Sequence, residues 1–129
     1  MRNFHLGLFL LLLISLSVAS CKTVTGDYTI TYHAGLLSNH PKGYLGCYVR
    51  VVGKLTYDRP QDLFPPYPED PLVCDSSGCI YVHYDYKDIS NLIGKRVKVV
   101  GYVKVTRFNF PYIDAVKVEQ IPDNLRTGR

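Results

Sequence analysis

Two stretches of this chain share one spacing of glycine and valine. Residues 44–55 align without gaps on residues 92–103, and both contain the pattern Gly-x-x-Val-x-Val-x-Gly-x-aliphatic. Apolar residues at alternate positions indicate strands with one buried face, and the residues expected to point inward are Val49, Val51, Leu55, Val97, Val99, Val103 and Val105. Gly53 and Gly101 share this inward parity, where a missing side chain lets a strand bend sharply. The chain is therefore constrained to a curved sheet with two matched, bent strands.

Three further segments complete the predicted sheet. Residues 72–85 are typical of a hairpin around a loop at 75–78, in which Val73, Ile80, Val82 and Tyr84 are expected to point inward. Residues 111–121 predict a fifth strand, ended by Pro122. The segment between the first two strands cannot be a strand interior, since its prolines lie at positions 60, 65, 66, 68 and 71. Short helical turns are expected at 34–38 and 88–92, the second with Asp88 as a cap.

The order of these pieces resembles the OB-fold, a five-stranded Greek-key barrel. The resemblance covers residues 44–121 and rests on V-x-V-x-G-x-L, D-x-x-G-x-I-x-V, G-x-x-V-x-V-x-G-x-V and Y-I-D-A-x-x-V-x-x-I. It is closest to OB domains of the anticodon-binding-like group and to periplasmic bacterial OB-fold proteins, and it implies an all-β fold. The link from the third to the fourth strand is shorter than in many OB-folds. An SH3-like barrel is an alternative, and so is an immunoglobulin-like sandwich, although the latter needs about seven strands.

The first 20 residues are typical of an export signal. Arg2 precedes an uncharged apolar run at 6–18, which is shorter than the roughly 20 residues that cross a bilayer and suits a signal peptide. Val18-Ala19-Ser20-Cys21 resembles the bacterial lipobox. That resemblance implies cleavage after Ser20, acyl chains on Cys21, and a lipid-anchored protein outside the cytoplasm, at the cell membrane or outer membrane. An ordinary secretory leader with a coincidental cysteine is the alternative.

The sequence therefore divides into four parts. We expect a signal peptide at 1–20, a tether with a short extended segment at 21–43, the barrel at 44–121 and a tail at 122–129. Cleavage leaves 109 residues with 14 basic and 11 acidic side chains. This balance is only mildly basic, and it is weaker than that of most dedicated nucleic-acid binders.

The cysteines suit an oxidising compartment. Cys74 and Cys79 flank the hairpin loop with outward parity, and opposed Cβ atoms on one face lie about 4.5–5.5 Å apart, close to disulfide distance. We predict a disulfide between them. Cys47 has inward parity and is expected to be a buried thiol. A metal site using both hairpin cysteines and His83 would lack a fourth ligand, so neither a metal nor a cofactor is predicted.

Two surface sets are candidates for binding. The outward face of strands two and three is the usual ligand platform of OB-folds, and the candidate contacts there and on strand one are Tyr48, Arg50, Tyr81 and His83. The second set is a basic stripe that could attract anionic lipids or polymers, formed by Arg50, Lys54, Arg96, Lys98 and Lys104. In the alternative interpretation, the tyrosines fit an exposed pleated surface and the cations prevent aggregation.

The motifs do not predict an enzyme, because no nucleophile elbow, phosphate-binding loop or convincing pair of catalytic carboxylates occurs in the sequence. The first hypothesis is a non-catalytic binding module for an envelope protein or an anionic polymer. The second is extracytoplasmic binding of single-stranded nucleic acid, by stacking and charge neutralisation. In a third possibility, the stiff proline loop at 60–71 contacts a partner in an envelope assembly.

Overall fold

The computed structural model describes residues 21, 30–58 and 63–122. The predicted leader, residues 22–29 of the predicted tether, residues 59–62 and the tail from residue 123 lie outside these residues. Within the described ranges, no helix has the length and apolar character needed to cross a bilayer.

The described residues form five strands and three short helical segments. The strands are β1 (Tyr48–Thr56), β2 (Leu72–Asp75), β3 (Gly78–His83), β4 (Arg96–Val105) and β5 (Pro111–Gln120). A six-residue helix, α1 (Ala34–Asn39), precedes them, and 3-10 helices occupy Pro41–Tyr44 and Ser90–Leu92. The N-cap position of the last of these turns is Ile89 and not the expected Asp88, whose Oδ1 accepts a hydrogen bond from the Ser90 amide at 2.9 Å.

The strands close into a barrel in the order β1-β2-β3-β5-β4. All neighbours are antiparallel except β3 and β5, which run parallel. A closed five-stranded barrel with this Greek-key order is an OB-fold. The prediction of an all-β, five-stranded barrel is therefore confirmed.

The barrel interior follows the alternation in the sequence. Ten inward side chains from the five strands have no solvent exposure, namely Val49, Val51, Leu55, Val73, Ile80, Val82, Val97, Val99, Val103 and Ile113. Burying one such side chain contributes about 1.5–3 kcal/mol, so these residues supply the main stabilising term of the fold. Val105 and Tyr84, also expected inside, are only partly buried.

Both inward glycines lie where another strand's backbone comes very close. At Gly101, a Cβ would overlap the Asp114 carbonyl oxygen of β5, beside a register shift between Val100 and Gly101. At Gly53, a Cβ would overlap the Cys74 carbonyl oxygen of β2. The absent side chains thus permit the strong curvature that closing a small barrel requires.

Helix α1 packs into the core, although the sequence interpretation assigned its residues to the tether. Ala34 and Leu37 have no solvent exposure and belong to the core cluster. The hairpin turn caps the helix, since the Ala34 amide donates to Asp75 Oδ2 at 2.8 Å and the Gly35 amide donates to Ser77 Oγ at 2.8 Å. Burial raises the pKa of Asp75, but hydrogen bonds from Ser77 and Ala34 more than offset this and hold the pKa below its usual value. The packed domain therefore includes residues before β1.

The four cysteines form two disulfides in the structure. Cys74 and Cys79 are joined across the hairpin with a Cα–Cα distance of 4.1 Å, which is the pairing expected from their spacing. Cys47 is buried as expected, at 2% exposure, but it is bonded to Cys21 and is not a free thiol. The inward parity of Cys47 predicts that its side chain is buried, but it does not predict a disulfide to a cysteine 26 residues earlier. One sulfur cannot carry both a disulfide and a thioether-linked lipid, so this pairing and lipidation of Cys21 exclude each other.

Adding a methyl group at Gly101 should destabilise the barrel. We expect Gly101→Ala to lower the free energy of unfolding by about 1–3 kcal/mol, because the new Cβ meets backbone atoms that cannot move aside cheaply. Gly43→Ala is the matched control, since nothing lies within 4 Å of a Cβ there, and its effect should stay within about 0.5 kcal/mol. Urea unfolding followed by circular dichroism measures both. Equal effects of the two substitutions would contradict this explanation of barrel closure.

Candidate functional site

The loop between β1 and β2 covers the outer face of β3. Tyr81 points outward from the barrel, yet only 1% of it is exposed, and its hydroxyl donates to the Leu63 carbonyl oxygen at 3.4 Å. Leu72, its register partner on β2, is also 1% exposed. The described part of the loop, residues 63–71, therefore occupies the strand face that OB-folds commonly use for ligands.

His83 holds this loop from the end of β3. Its Nδ1 lies 2.9 Å from Asp70 Oδ2, and its Nε2 lies 2.9 Å from Asp85 Oδ1. The ring of Tyr67 stacks on the imidazole with 4.2 Å between centroids. Only 14% of the His83 side chain is exposed. Each ring nitrogen therefore lies within hydrogen-bond distance of a carboxylate.

Burial of Asp70 sets the electrostatic character of this contact. Desolvation raises the pKa of Asp70 above its usual value, and the hydrogen bond and charge of His83 oppose the rise without cancelling it. The ion pair therefore offsets only part of the cost of burying the carboxylate, as is common for buried pairs. Asp70 gains its proton at a higher pH than an exposed aspartate does.

A cleft opens where the covering loop meets the loop between β4 and β5. Phe64 and Phe110 join the two loops, with ring centroids 5.2 Å apart in an edge-to-face arrangement. The cleft has a volume of about 650 Å³. Its lining, which we call the aromatic cleft, is Phe64, Pro65, Pro66, Tyr67, Thr106, Arg107, Phe108, Phe110 and Tyr112. Four of these nine residues come from the proline-rich loop.

Thr106 organises the other wall of the cleft. Its Oγ1 accepts hydrogen bonds from the amides of Phe108 and Phe110 at 3.3 and 3.1 Å, while its own amide donates to the Phe110 carbonyl at 2.9 Å. Asn109 closes the turn with a φ of 68°, a conformation that asparagine tolerates better than most residues. The turn presents Phe108 at 73% exposure, with the Arg107 guanidinium 5.9 Å from its ring centroid.

Tyr112 lies where β5 enters the cleft. Burial raises the pKa of Tyr112, and the charge of Lys104 partly opposes this rise. The phenol therefore stays neutral near pH 7, when its hydroxyl can donate or accept a hydrogen bond. The cleft thus combines several aromatic faces with one cation and neutral hydroxyls, a combination suited to stacking and oriented hydrogen bonding.

The four predicted contact residues do not form one open surface. Tyr48 is 46% exposed, and its ring centroid lies 5.0 Å from that of Tyr102 on β4. The Nε of Arg50 donates a hydrogen bond to Thr31 Oγ1 at 2.6 Å. Tyr81 and His83, by contrast, lie beneath the covering loop on β3. The expectation of an exposed Tyr81 is therefore wrong, because strand alternation shows that a side chain points outward but not that a distant loop covers it.

The predicted basic stripe is partly neutralised. Lys98 Nζ lies 3.6 Å from Glu119, and Lys104 pairs with Asp114. Both acids lie on β5, beside β4 in the barrel. Lys54 and Arg96 remain exposed at the opposite end of the β1–β4 pair from Tyr48 and Tyr102.

Sequence reasoning identified one wall of the cleft and missed the other. The proline loop was a candidate for partner contact, but the turn that carries Arg107, Phe108 and Phe110 was not considered. A signal was present in Arg107-Phe-Asn-Phe-Pro111, where two aromatic residues flank an asparagine in a short connection between strands. Exposed aromatics in so tight a turn are unusual for residues that serve only packing.

The strand order, the closed barrel and the two loops meeting over β3 define the chain as an OB-fold domain. No family model matches the chain, and no curated protein matches it. Among solved structures, it is similar to the hypothetical protein ygiW from E. coli, with a TM-score of 0.49 and 17% identity over 75% of this chain and 100% of that one.

Two other solved structures are similar to the chain. A DUF3299 family protein from Pseudomonas aeruginosa PAO1 has a TM-score of 0.40 and 15% identity, over 61% of this chain and 64% of that one. A putative aspartyl-tRNA synthetase from Leishmania major Friedlin has a TM-score of 0.48 and 12% identity, over 85% of this chain and 24% of that one. The fold assignment itself rests on the strand order and register described above.

The buried carboxylate of Asp70 predicts a pH dependence of stability. Its pKa is raised in the folded state, so the folded chain binds this proton more tightly, and the Asp70 contribution to stability falls as pH rises through the raised pKa. Asp70→Asn should abolish that contribution. Asp88 is the control, because the Ser90 amide lowers its pKa, and its contribution is lost as pH falls.

Urea unfolding between about pH 3 and pH 7 covers both transitions. Relative to the native protein, Asp70→Asn should make stability rise more steeply with pH, and Asp88→Asn should make it rise less steeply. An Asp70→Asn profile parallel to that of the native protein would show that Asp70 is not buried against His83.

Proposed function

We propose that this protein is a lipid-anchored, extracytoplasmic OB-fold module whose aromatic cleft binds an envelope protein or an anionic polymer without catalysis. The observation that carries the proposal is the cleft itself, in which two loops hold aromatic faces open to solvent on an otherwise closed barrel. Rings exposed in this way provide stacking area at low conformational cost.

The lining residues indicate what kind of partner the cleft suits. Arg107 is the one charged side chain among the nine, and no carboxylate lines the cleft. A neutral or anionic partner is therefore favoured over a cationic one. The lining consists of rings, prolines, a threonine and an arginine, a set typical of recognition, and this supports a non-catalytic role.

Single-stranded nucleic acid is a second candidate partner. Phe108 is the most exposed of the cleft aromatics at 73%, and Arg107 lies beside it. An exposed ring next to a guanidinium can stack a base and contact the adjacent phosphate. Such binding would weaken steeply with added salt.

Lipid anchoring through Cys21 is supported by the leader and the Val18–Cys21 motif. Two or three acyl chains hold a protein firmly on a membrane, since each buried methylene contributes about 0.8 kcal/mol. In the anchored form the Cys21 sulfur carries lipid, and Cys47 is a buried thiol at the start of the barrel. The disulfide between them belongs to a form without a thioether at Cys21.

The mass of the mature protein purified from membranes tests the anchor. We expect a chain beginning at Cys21 that carries a diacylglyceryl group and one thiol that is alkylated only after unfolding. Cys21→Ser should abolish both lipidation and partition into detergent. A mature chain whose Cys21 is linked to Cys47 and carries no lipid would contradict anchoring.

Crosslinking in intact cells tests the cleft. A benzoylphenylalanine introduced at Phe108 should give a discrete adduct with a partner, and adding Arg107→Ala should reduce its yield about tenfold if the guanidinium contacts that partner. The same probe at Tyr86 is the control, because Tyr86 is similarly exposed, at 71%, but lies outside the cleft. Equal crosslinking from both positions would contradict a specific cleft.

A further inference from the structure

Two cations face each other on the outside of the barrel. Lys54 of β1 and Arg96 of β4 are register partners, both side chains point outward, and both residues are exposed. Like charges directly opposite each other on a sheet are destabilising. No carboxylate lies within ion-pair distance of either residue in the part of the chain that the structure describes.

The other cations in the predicted basic stripe have partners. Lys98 and Lys104 pair with Glu119 and Asp114, and Arg50 donates to Thr31. Folding thus places an acid of β5 beside Lys98 and Lys104 of β4, but none beside Lys54 on β1 or Arg96 at the start of β4. Within this stripe, Lys54 and Arg96 are the two cations with neither an acid nor a hydrogen-bond partner among the described residues.

This pair lies along a groove that could hold an anion. The groove has a volume of about 710 Å³, and its lining is Val52, Gly53, Lys54, Cys74, Asp75, Ser76, Gly94 and Arg96. Asp75 also lines the groove, but it forms no ion pair with Lys54 or Arg96, because its Oδ2 accepts from the Ala34 amide and its Oδ1 accepts from Ser77. Two cations and this one carboxylate leave the groove with a net charge of +1. Gly94, where nothing lies within 4 Å of a Cβ position, adds no side chain to the groove.

We propose that Lys54 and Arg96 form a second binding site, which takes the phosphate groups of a water-soluble anionic polymer. An arginine can bind a phosphate in two-pronged fashion, while a lysine supplies a point charge. Bound phosphate would also relieve the repulsion between the two cations. The site shares no residue with the aromatic cleft. It therefore adds to the proposed function, and the two proposals can be tested independently.

The composition of the groove favours a soluble polymer over a membrane surface. Surfaces that dock on bilayers insert aromatic or large apolar side chains beside their basic residues. None of the large exposed hydrophobic residues of the described chain lines this groove. A groove that offers positive charge but no large apolar side chain is suited to a hydrated polymer of phosphate groups.

Titration of the full mature protein with tripolyphosphate tests the site. In nuclear magnetic resonance spectra at low salt, we expect saturable shifts at the amides of Lys54, Gly94 and Arg96 and none at Phe108 in the aromatic cleft. Lys54→Gln and Arg96→Gln should each weaken binding about tenfold. Lys104→Gln is the control and should change affinity less than twofold, since Lys104 lies outside the groove and is paired with Asp114. Equal losses in all three variants would reduce the site to general surface charge and overturn the proposal.

Lys54→Glu separates binding from stability. The new carboxylate would face Arg96 across the sheet, so the melting temperature should stay the same or rise while tripolyphosphate binding is lost. Retained binding in this variant would contradict the assignment. A flotation assay with the unlipidated Cys21→Ser protein and phosphatidylglycerol vesicles tests the alternative of a membrane surface. Binding to these vesicles that depends on Lys54 and Arg96, without binding to tripolyphosphate, would also contradict the proposal. None of these results depends on whether the aromatic cleft binds a partner.

Discussion

Close backbone approach at two inward glycines is the constraint on which the rest of the structure depends. At Gly101 and Gly53, neighbouring strands come near enough that even a methyl group would overlap a carbonyl oxygen. This approach lets five short strands close into a barrel, which brings β3 alongside β5 in parallel. That pairing sets the start of β5 beside the middle of β3, and the β4–β5 turn therefore meets the loop that crosses β3.

The fold could be predicted largely because its determinants are local. Alternating valines, glycines on the inward parity and prolines in a connecting segment all act within a few residues, and they specified the barrel strands. The aromatic cleft depends on contacts between distant segments, such as Phe64 with Phe110 and Tyr67 with His83. No periodic pattern encodes these contacts. For the same reason, the sequence placed Tyr81 on an open face, and it missed both the core packing of Leu37 and the partner of Cys47.

Charge is distributed unevenly around the barrel, and this distinguishes the two proposed binding surfaces. On the β3 side, His83 lies between Asp70 and Asp85 and holds the loop that forms one wall of the aromatic cleft. On the β1–β4 side, Lys54 and Arg96 remain without an acidic partner among the described residues. Stacking dominates the first surface and unpaired positive charge dominates the second, so a partner that uses both would need rings and anionic groups along its length.

The loops at 63–71 and 106–110 meet over β3 and form the cleft. A double-mutant cycle between Phe64→Leu and Phe110→Leu measures this contact, because the two residues lie on different loops and their ring centroids are 5.2 Å apart. We predict a coupling energy of about 0.5–1.5 kcal/mol in the free energy of unfolding. A coupling energy indistinguishable from zero would show that the loops do not meet in solution and would contradict the cleft.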